Sequence, residues 1–257
     1  MRYVVGATVV LLTFLTAQPS NAQQWPQRPV RIVVPYAPGG NTDIVARLIT
    51  QRLSAALNQQ FIIENRVGAG GAIAAEFVTK SPPDGYTLCV CALSQLAPVP
   101  LTQKVAYDPL KDFTPIANIG ANGFVLSVST KVSAKTLAEF VAFVKTRPGE
   151  LNYGSGGTGS LTHLAAALFL HRAGLEMTHI PYKGGALALN DTLGGQVQMY
   201  AASPSEVLGY QDSDRIRLLG ISSNQRIKQL PNVPAIADIY PGFRALTWNG
   251  VLGPAQM

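Results

Sequence analysis

The chain has 257 residues, 47% hydrophobic and only 13% charged, which excludes a disordered chain and suffices for one large domain or two smaller ones. Its formal charge of +6 comes from dispersed Lys and Arg. They lack the clustering and aromatic interleaving of a nucleic-acid binder; a mild positive balance favours the approach of small anions. Two cysteines and three scattered histidines do not make a metal centre, and nothing in the sequence calls for a cofactor.

The first residues read as a secretory signal. Arg2 precedes an apolar run from Val4 to Leu15, and Ser20-Asn21-Ala22 supplies small residues for cleavage after Ala22. The run is well short of the ~20 residues that span a bilayer. Residues 1–22 are therefore expected to be a leader, and the mature chain to be exported and soluble.

Residues 29–36, PVRIVVPY, read as a buried strand, and residues 44–58 as a helix, with Ile44, Val45, Leu48, Ile49, Leu53 and Leu57 at helical spacing. A strand over 60–66, a helix over 72–80 and a strand over 86–93 follow. This β-α-β-α-β series predicts a mostly parallel sheet covered by helices, with right-handed crossovers. Cys89 and Cys91 lie two apart in the third strand and share a face. A disulfide at that spacing has awkward geometry, so both are expected to be small buried apolar residues.

Residues 107–120 read as irregular. A second series then begins near Phe124: strand 124–130, helix 136–149 ended by Pro148-Gly149, strand 151–155, helix 161–174, strand 177–182, helix 186–195, strand 197–202 and strand 216–222. The fold class is α/β, in two lobes joined near residues 118–124 and 221–226. Residues 23–123 and 225–257 are assigned to the first lobe and 124–224 to the second.

Two glycine-rich loops share a design. One strand ends in Pro38-Gly39-Gly40-Asn41-Thr42-Asp43 and opens a helix; another ends in Gly154-Ser155-Gly156-Gly157-Thr158-Gly159-Ser160 and opens a second. In an open parallel sheet, ligands collect beyond the carboxyl ends of the strands, where helix N-termini offer unpaired N–H groups. The second loop fits G-x-G-x-x-G, but Glu176 begins the following strand instead of ending it, so a ribose-binding acid is missing. It lacks the lysine of a phosphate loop and the flanking glycines of a serine elbow. Asn41 and Asp43 read as first-turn and capping residues, and His163 as a cap-region or packing histidine. Lys183 reads either as a steering cation or as a solvated loop charge. An exported hydrolase using Ser155 or Ser160 stays open, and it requires a base and an orienting acid near one of them.

The segments PVRIVVPYAPGGNTDIVARLI, ENRVGAGGAIAAEFVTKSPPDGYTL, YDPLKDFTPIA, LNYGSGGTGSLTHLAAALF, MTHIPYKGGALALNDTLGGQV and LPNVPAIAD occur in this order. The set resembles the Bug family, the TctC-like periplasmic solute receptors of tripartite tricarboxylate transporters, over the whole mature chain. The resemblance implies a two-lobed periplasmic binding protein, type II-like, that closes on a small carboxylate, acts as a monomer, catalyses nothing and meets integral membrane subunits of a transporter. It carries ligand contacts onto Tyr36, Ala37, Pro38, Gly39, Gly40, Asn41 and Thr42 of the first lobe, and onto Ser155, Gly156, Thr158, Gly159 and Ser160 of the second. Ser203 completes the set. There are three departures. Gln198 stands where the family commonly has Asp, and AASPSEVLGY is unusual after its strand. After WNGVLGPAQM, family members continue into further helices, so the first lobe is expected to lack part of its covering layer.

Overall fold

The structure, a computed structural model, describes residues 25–257. The expected leader lies outside the described residues. Among those residues no helix is long and apolar enough to cross a membrane.

Two five-stranded sheets carry the architecture, in the orders β2-β1-β3-β10-β4 and β7-β6-β8-β5-β9. The first is built from β1 (Val30–Val34), β2 (Phe61–Asn65), β3 (Thr87–Ala92), β4 (Phe113–Gly123) and β10 (Leu246–Pro254). The second comprises β5 (Val125–Ser129), β6 (Asn152–Ser155), β7 (Thr178–Pro181), β8 (Met199–Ala202) and β9 (Ile216–Ile221). β1 pairs in parallel with β2 and β3, and β6 with β7 and β8. β10 and β5 each pair antiparallel with both neighbours, so the sheets are mixed. The reversed strand is in each case the one that enters its sheet directly after the chain changes lobe. It arrives without the helical crossover that a parallel neighbour needs.

Helices α1 (Asn41–Leu57), α2 (Ala72–Thr79), α3 (Leu93–Leu96) and α4 (Pro98–Thr102) belong to the first lobe. α5 (Leu137–Lys145), α6 (Leu161–Ala173), α7 (Gly185–Gly194) and the short α8 (Pro204–Val207) belong to the second. α1 packs through Thr42, Asp43, Ala46 and Thr50, one stripe of small or polar residues, whereas Leu48 and Leu57 are exposed. The apolar spacing located this helix but not its packed face. Phe140, Phe169, Met199, Ile236 and Phe243 anchor one core cluster of the second lobe. Val33, Ala75, Val78, Cys89 and Cys91 anchor one of the first.

Three expectations are corrected. The stretch expected to be irregular contains β4, an 11-residue strand paired with β10 from Phe113↔Pro254 to Gly123↔Leu246. β4 is an edge strand, which tolerates Pro115. Cys89 and Cys91 are bonded to each other as a disulfide, both fully buried, with Cα atoms 5.4 Å apart. Their shared strand face brings the sulfurs together, and the Cα spacing falls in the ordinary disulfide range. The second crossing also falls later than residues 221–226. Leu230, Val233, Ala235, Ile236 and Phe243 still pack into the second lobe, and the chain rejoins the first sheet only at Leu246.

Candidate functional site

The carboxyl ends of β1 and β6 face each other across the lobes, and the loops beyond them carry the candidate site. After β1 the chain turns through Gly39, whose φ of 84° suits a residue without Cβ, and α1 starts at the N-cap Gly40. Asp43 holds the turn. Its carboxylate is almost wholly buried and accepts from Gly39 N at 2.9 Å, Asn65 Nδ2 at 2.9 Å and Arg47 Nε at 2.8 Å. Burial pushes its carboxyl up, but the bonds from Arg47, Gly39 and Asn65 outweigh this and hold it below the usual aspartate value. Asp43 is thus a structural anchor of the loop, as its first-turn position suggests.

After β6, Gly157 (φ 123°) and Gly159 (φ 76°) bend the loop, and Ser160 caps α6 by accepting from His163 N at 3.2 Å. Several loop amides are already used within the protein. Gly156 N–H donates to Thr162 Oγ1 at 2.8 Å, Gly157 N–H to Ser155 Oγ at 3.1 Å and Gly159 N–H to His163 Nδ1 at 3.3 Å. Ala37 N–H donates across the lobes to Lys183 O at 3.0 Å. Further bonds join the lobes: Leu161 N–H to Ser94 Oγ at 3.1 Å, Ser205 Oγ to Asn41 Oδ1 at 2.7 Å and Gln103 Nε2 to Thr158 O at 3.0 Å.

Between the lobes lies a cavity of about 50 Å³, lined by Tyr36, Gly40, Asn41, Thr42, Ala92, Ser94, Phe124, Gly156, Ser160, Leu161, Thr162, Gly185, Tyr200, Ser203, Glu206 and Thr247. Hydroxyls dominate its polar surface, and no Lys, Arg or His is among these residues. Of the expected contacts, Tyr36, Gly40, Asn41, Thr42, Gly156, Ser160 and Ser203 line it. Thr158 lines an adjoining cleft of about 350 Å³, together with Gly68 to Gly71, Tyr182 and Lys183. Ala37, Pro38, Gly39, Ser155 and Gly159 line neither and serve to shape the two loops.

Ser155 is fully buried, and its Oγ lies 2.6 Å from His179 Nε2. His179 stacks on His163, with ring centroids 3.9 Å apart, and on Tyr153. Burial, then the neighbouring His163, push its pKa down to about 4, and burial lowers that of His163. Among the described residues no carboxylate forms an ion pair with either histidine. Among the same residues no group of three or more His, Cys, Asp or Glu could hold a metal ion.

The description "Tripartite tricarboxylate transporter family receptor" fits residues 45–257. The chain belongs to this receptor family. It is 36% identical to protein BugT of Bordetella pertussis, over 96% of this chain and 76% of that one. Among solved structures it resembles R. palustris Rpa4515 with adipate (TM-score 0.87, 37% identity, covering 90% of this chain and 78% of the other). It also resembles MatC from Rhodopseudomonas palustris with bound malate (TM-score 0.85, 34% identity, 90% and 80% covered). The fold is that of a two-lobed periplasmic binding protein, and these relatives are solute-binding receptors.

Against that family background, the sequence reading missed Ser94, Thr162, Gly185, Tyr200, Glu206 and Thr247. Ser94 and Thr162 flank helix starts and were within reach of the same reasoning. Tyr200 lies inside β8 and Thr247 on β10, so only the assembled sheets bring them to the cleft. Glu206 lies in the segment already singled out as unusual. Its pKa is pushed up to about 7 by burial, against opposing hydrogen bonds from Ser203, Tyr200 and Asn41. Gln198 sits away from the cavity: its Oε1 accepts from Asn152 N at 2.8 Å, tying β8 to β6.

Proposed function

We propose that the protein is a periplasmic receptor that captures a small carboxylate in the inter-lobe cavity and delivers it to the membrane subunits of a tripartite tricarboxylate-type transporter. The observation that carries this reading is the cavity itself. It lies between two strand-to-helix loops, is rich in hydroxyls, and is faced by the N-termini of α1 and α6. First-turn amides and the positive end of each helix dipole favour an anion without a salt bridge, and hydroxyls of Ser160, Thr162 and Ser203 supply further donors, whereas the Thr42 hydroxyl donates to Asn249 Oδ1 at 3.0 Å. The adipate and malate held by the two related receptors support the ligand class.

Entry needs the lobes to part. The two connections between the sheets, at residues 123–125 and 222–245, are the natural hinges, and the interlobe hydrogen bonds are what opening breaks. The protein acts as a monomer, exported by its leader, without cofactor or turnover. Ser155 and His179 form the one close serine–histidine pair among the described residues, but Ser155 is buried away from the cavity and no acid orients the imidazole. A thermal-shift screen of mono-, di- and tricarboxylates, followed by calorimetry on the hits, tests the reading. It expects one saturable site and unchanged ligand on recovery; hydrolysis of an ester substrate lost in Ser155→Ala would sink it.

A further inference from the structure

The cavity holds one carboxyl group and no cation. Glu206, on α8, is more than nine-tenths buried and lines the cavity wall. Its Oε2 accepts from Ser203 N at 2.7 Å and Tyr200 Oη at 3.0 Å. The first of these closes a capping box and gives Glu206 a local structural role. The other oxygen goes beyond that role. Oε1 lies against Gly40 and Gly185, where α1 and α7 begin. Gly185 makes the room, because a Cβ there would overlap both Oε1 and Tyr200 Oη.

The groups packed around Glu206 do not neutralise it. β8 contributes Tyr200, the end of β1 contributes Tyr36, and α7 contributes only Gly185. α1 contributes Asn41, while the nearby Asp43 turns its carboxylate to Gly39, Asn65 and Arg47. Lys183 lines the outer cleft, not this cavity.

Resting on the carboxylate-receptor reading above, we propose that Glu206 makes this cavity selective for small monocarboxylates that carry a protonated amine, over dicarboxylates. The ligand carboxylate takes the hydroxyls of Ser160 and Thr162 and the Thr162 amide, since the amides of Leu161 and His163 already donate to Ser94 Oγ and Ser160 Oγ, and its ammonium pairs with Glu206 Oε1. A dicarboxylate would instead confine three acidic groups in a desolvated space without a cation, and one of them must be protonated. The raised pKa of Glu206 already records that burial of its own charge is unfavourable.

The sign of the pH dependence separates the two ligand classes. An ammonium ligand selects the ionised carboxylate and releases a proton, so its affinity rises from about pH 6 to about pH 8. A dicarboxylate selects the protonated form, and its affinity falls over the same interval. The test is isothermal titration calorimetry on the whole mature chain and on Glu206→Gln. The probes are L-alanine, β-alanine and 4-aminobutanoate against propionate, malonate and succinate.

We expect at least one amino acid to bind about tenfold or more tighter than every diacid near pH 8, the equivalent of one pKa unit of differential interaction. Glu206→Gln, which keeps an oxygen for the capping box, should abolish that preference and flatten the pH dependence. If malonate or succinate binds the native chain more tightly than any amino acid, the role given to Glu206 is overturned while the carboxylate reading stands. If no acid binds at any pH, both fall. Should the variant fold poorly by circular dichroism, the opposite pH slopes of the native chain decide the matter alone.

Discussion

Removing the Asp43 carboxylate is the sharpest probe of how the first-lobe loop is held. In Asp43→Ala the Gly39 amide and the Asn65 side chain each lose a hydrogen bond to a charged group, at 2.9 Å in both cases. Such bonds contribute about 1.5 kcal/mol or more apiece. The bond to Arg47 adds less, about 0.5 kcal/mol, because the guanidinium side is 55% exposed and regains water. The sum is about 3.5 kcal/mol, which for a chain of this size lowers Tm by roughly 7–14 °C. Asp43→Asn should lose about half of that, since one amide oxygen still serves Gly39. Differential scanning calorimetry measures both. The folded-state pKa of Asp43 is depressed, so its contribution is present above the unfolded value and is lost as pH falls through the folded value. The gap between native and Asp43→Asn should therefore close in strong acid. A Tm change below about 2 °C for Asp43→Ala would refute the idea that this carboxylate shapes the loop.

Other outcomes follow from neighbouring residues. His179, with its pKa lowered to about 4, and His163 both resist protonation in the folded state. The contribution of His179 is full above the unfolded value near 6.5 and is lost as pH falls from about 6.5 towards about 4, and that of His163 is lost in the same direction; His179→Gln should flatten the decline in Tm over that interval. Gly185→Ala should destabilise by about 1–3 kcal/mol, because the new methyl overlaps Glu206 and Tyr200, and it should also weaken ligand binding measured by calorimetry. Equal stability and affinity in that variant would show that α7 shifts freely.

Much of the fold was legible because strand and helix periods are local. Residues 29–36 and 44–58 contain β1 and nearly all of α1, and 161–174 matches α6 with its C-terminal Gly174. What escaped was non-local. β4 and β10 stabilise each other by pairing across more than a hundred residues, and Pro115, Gly120 and Gly123 disguise β4 as a loop. The Cys89–Cys91 bond depends on the backbone bringing two Cα atoms to 5.4 Å, which no spacing rule reveals. The loops of the site were found from their glycines, yet many of those glycine amides are spent on internal bonds. Thr42, Ser94, Ser160 and Thr162 supply more of the cavity wall than the glycine pattern suggested. Tyr200, Thr247 and Glu206 join them only once the lobes are assembled.

The central claim, that this cavity is where a small carboxylate binds, is tested most directly by Gly156→Ala. A Cβ at Gly156 would meet nothing closer than Thr162 Oγ1, at 3.4 Å, so the fold should accept it with little change in Tm. The methyl would nevertheless project into a cavity of only about 50 Å³. Calorimetric titration of the best-binding acid from the screen should show affinity lowered about tenfold or more, or lost, in a variant that melts like the native protein. Undiminished affinity in that variant would contradict the assignment of the site.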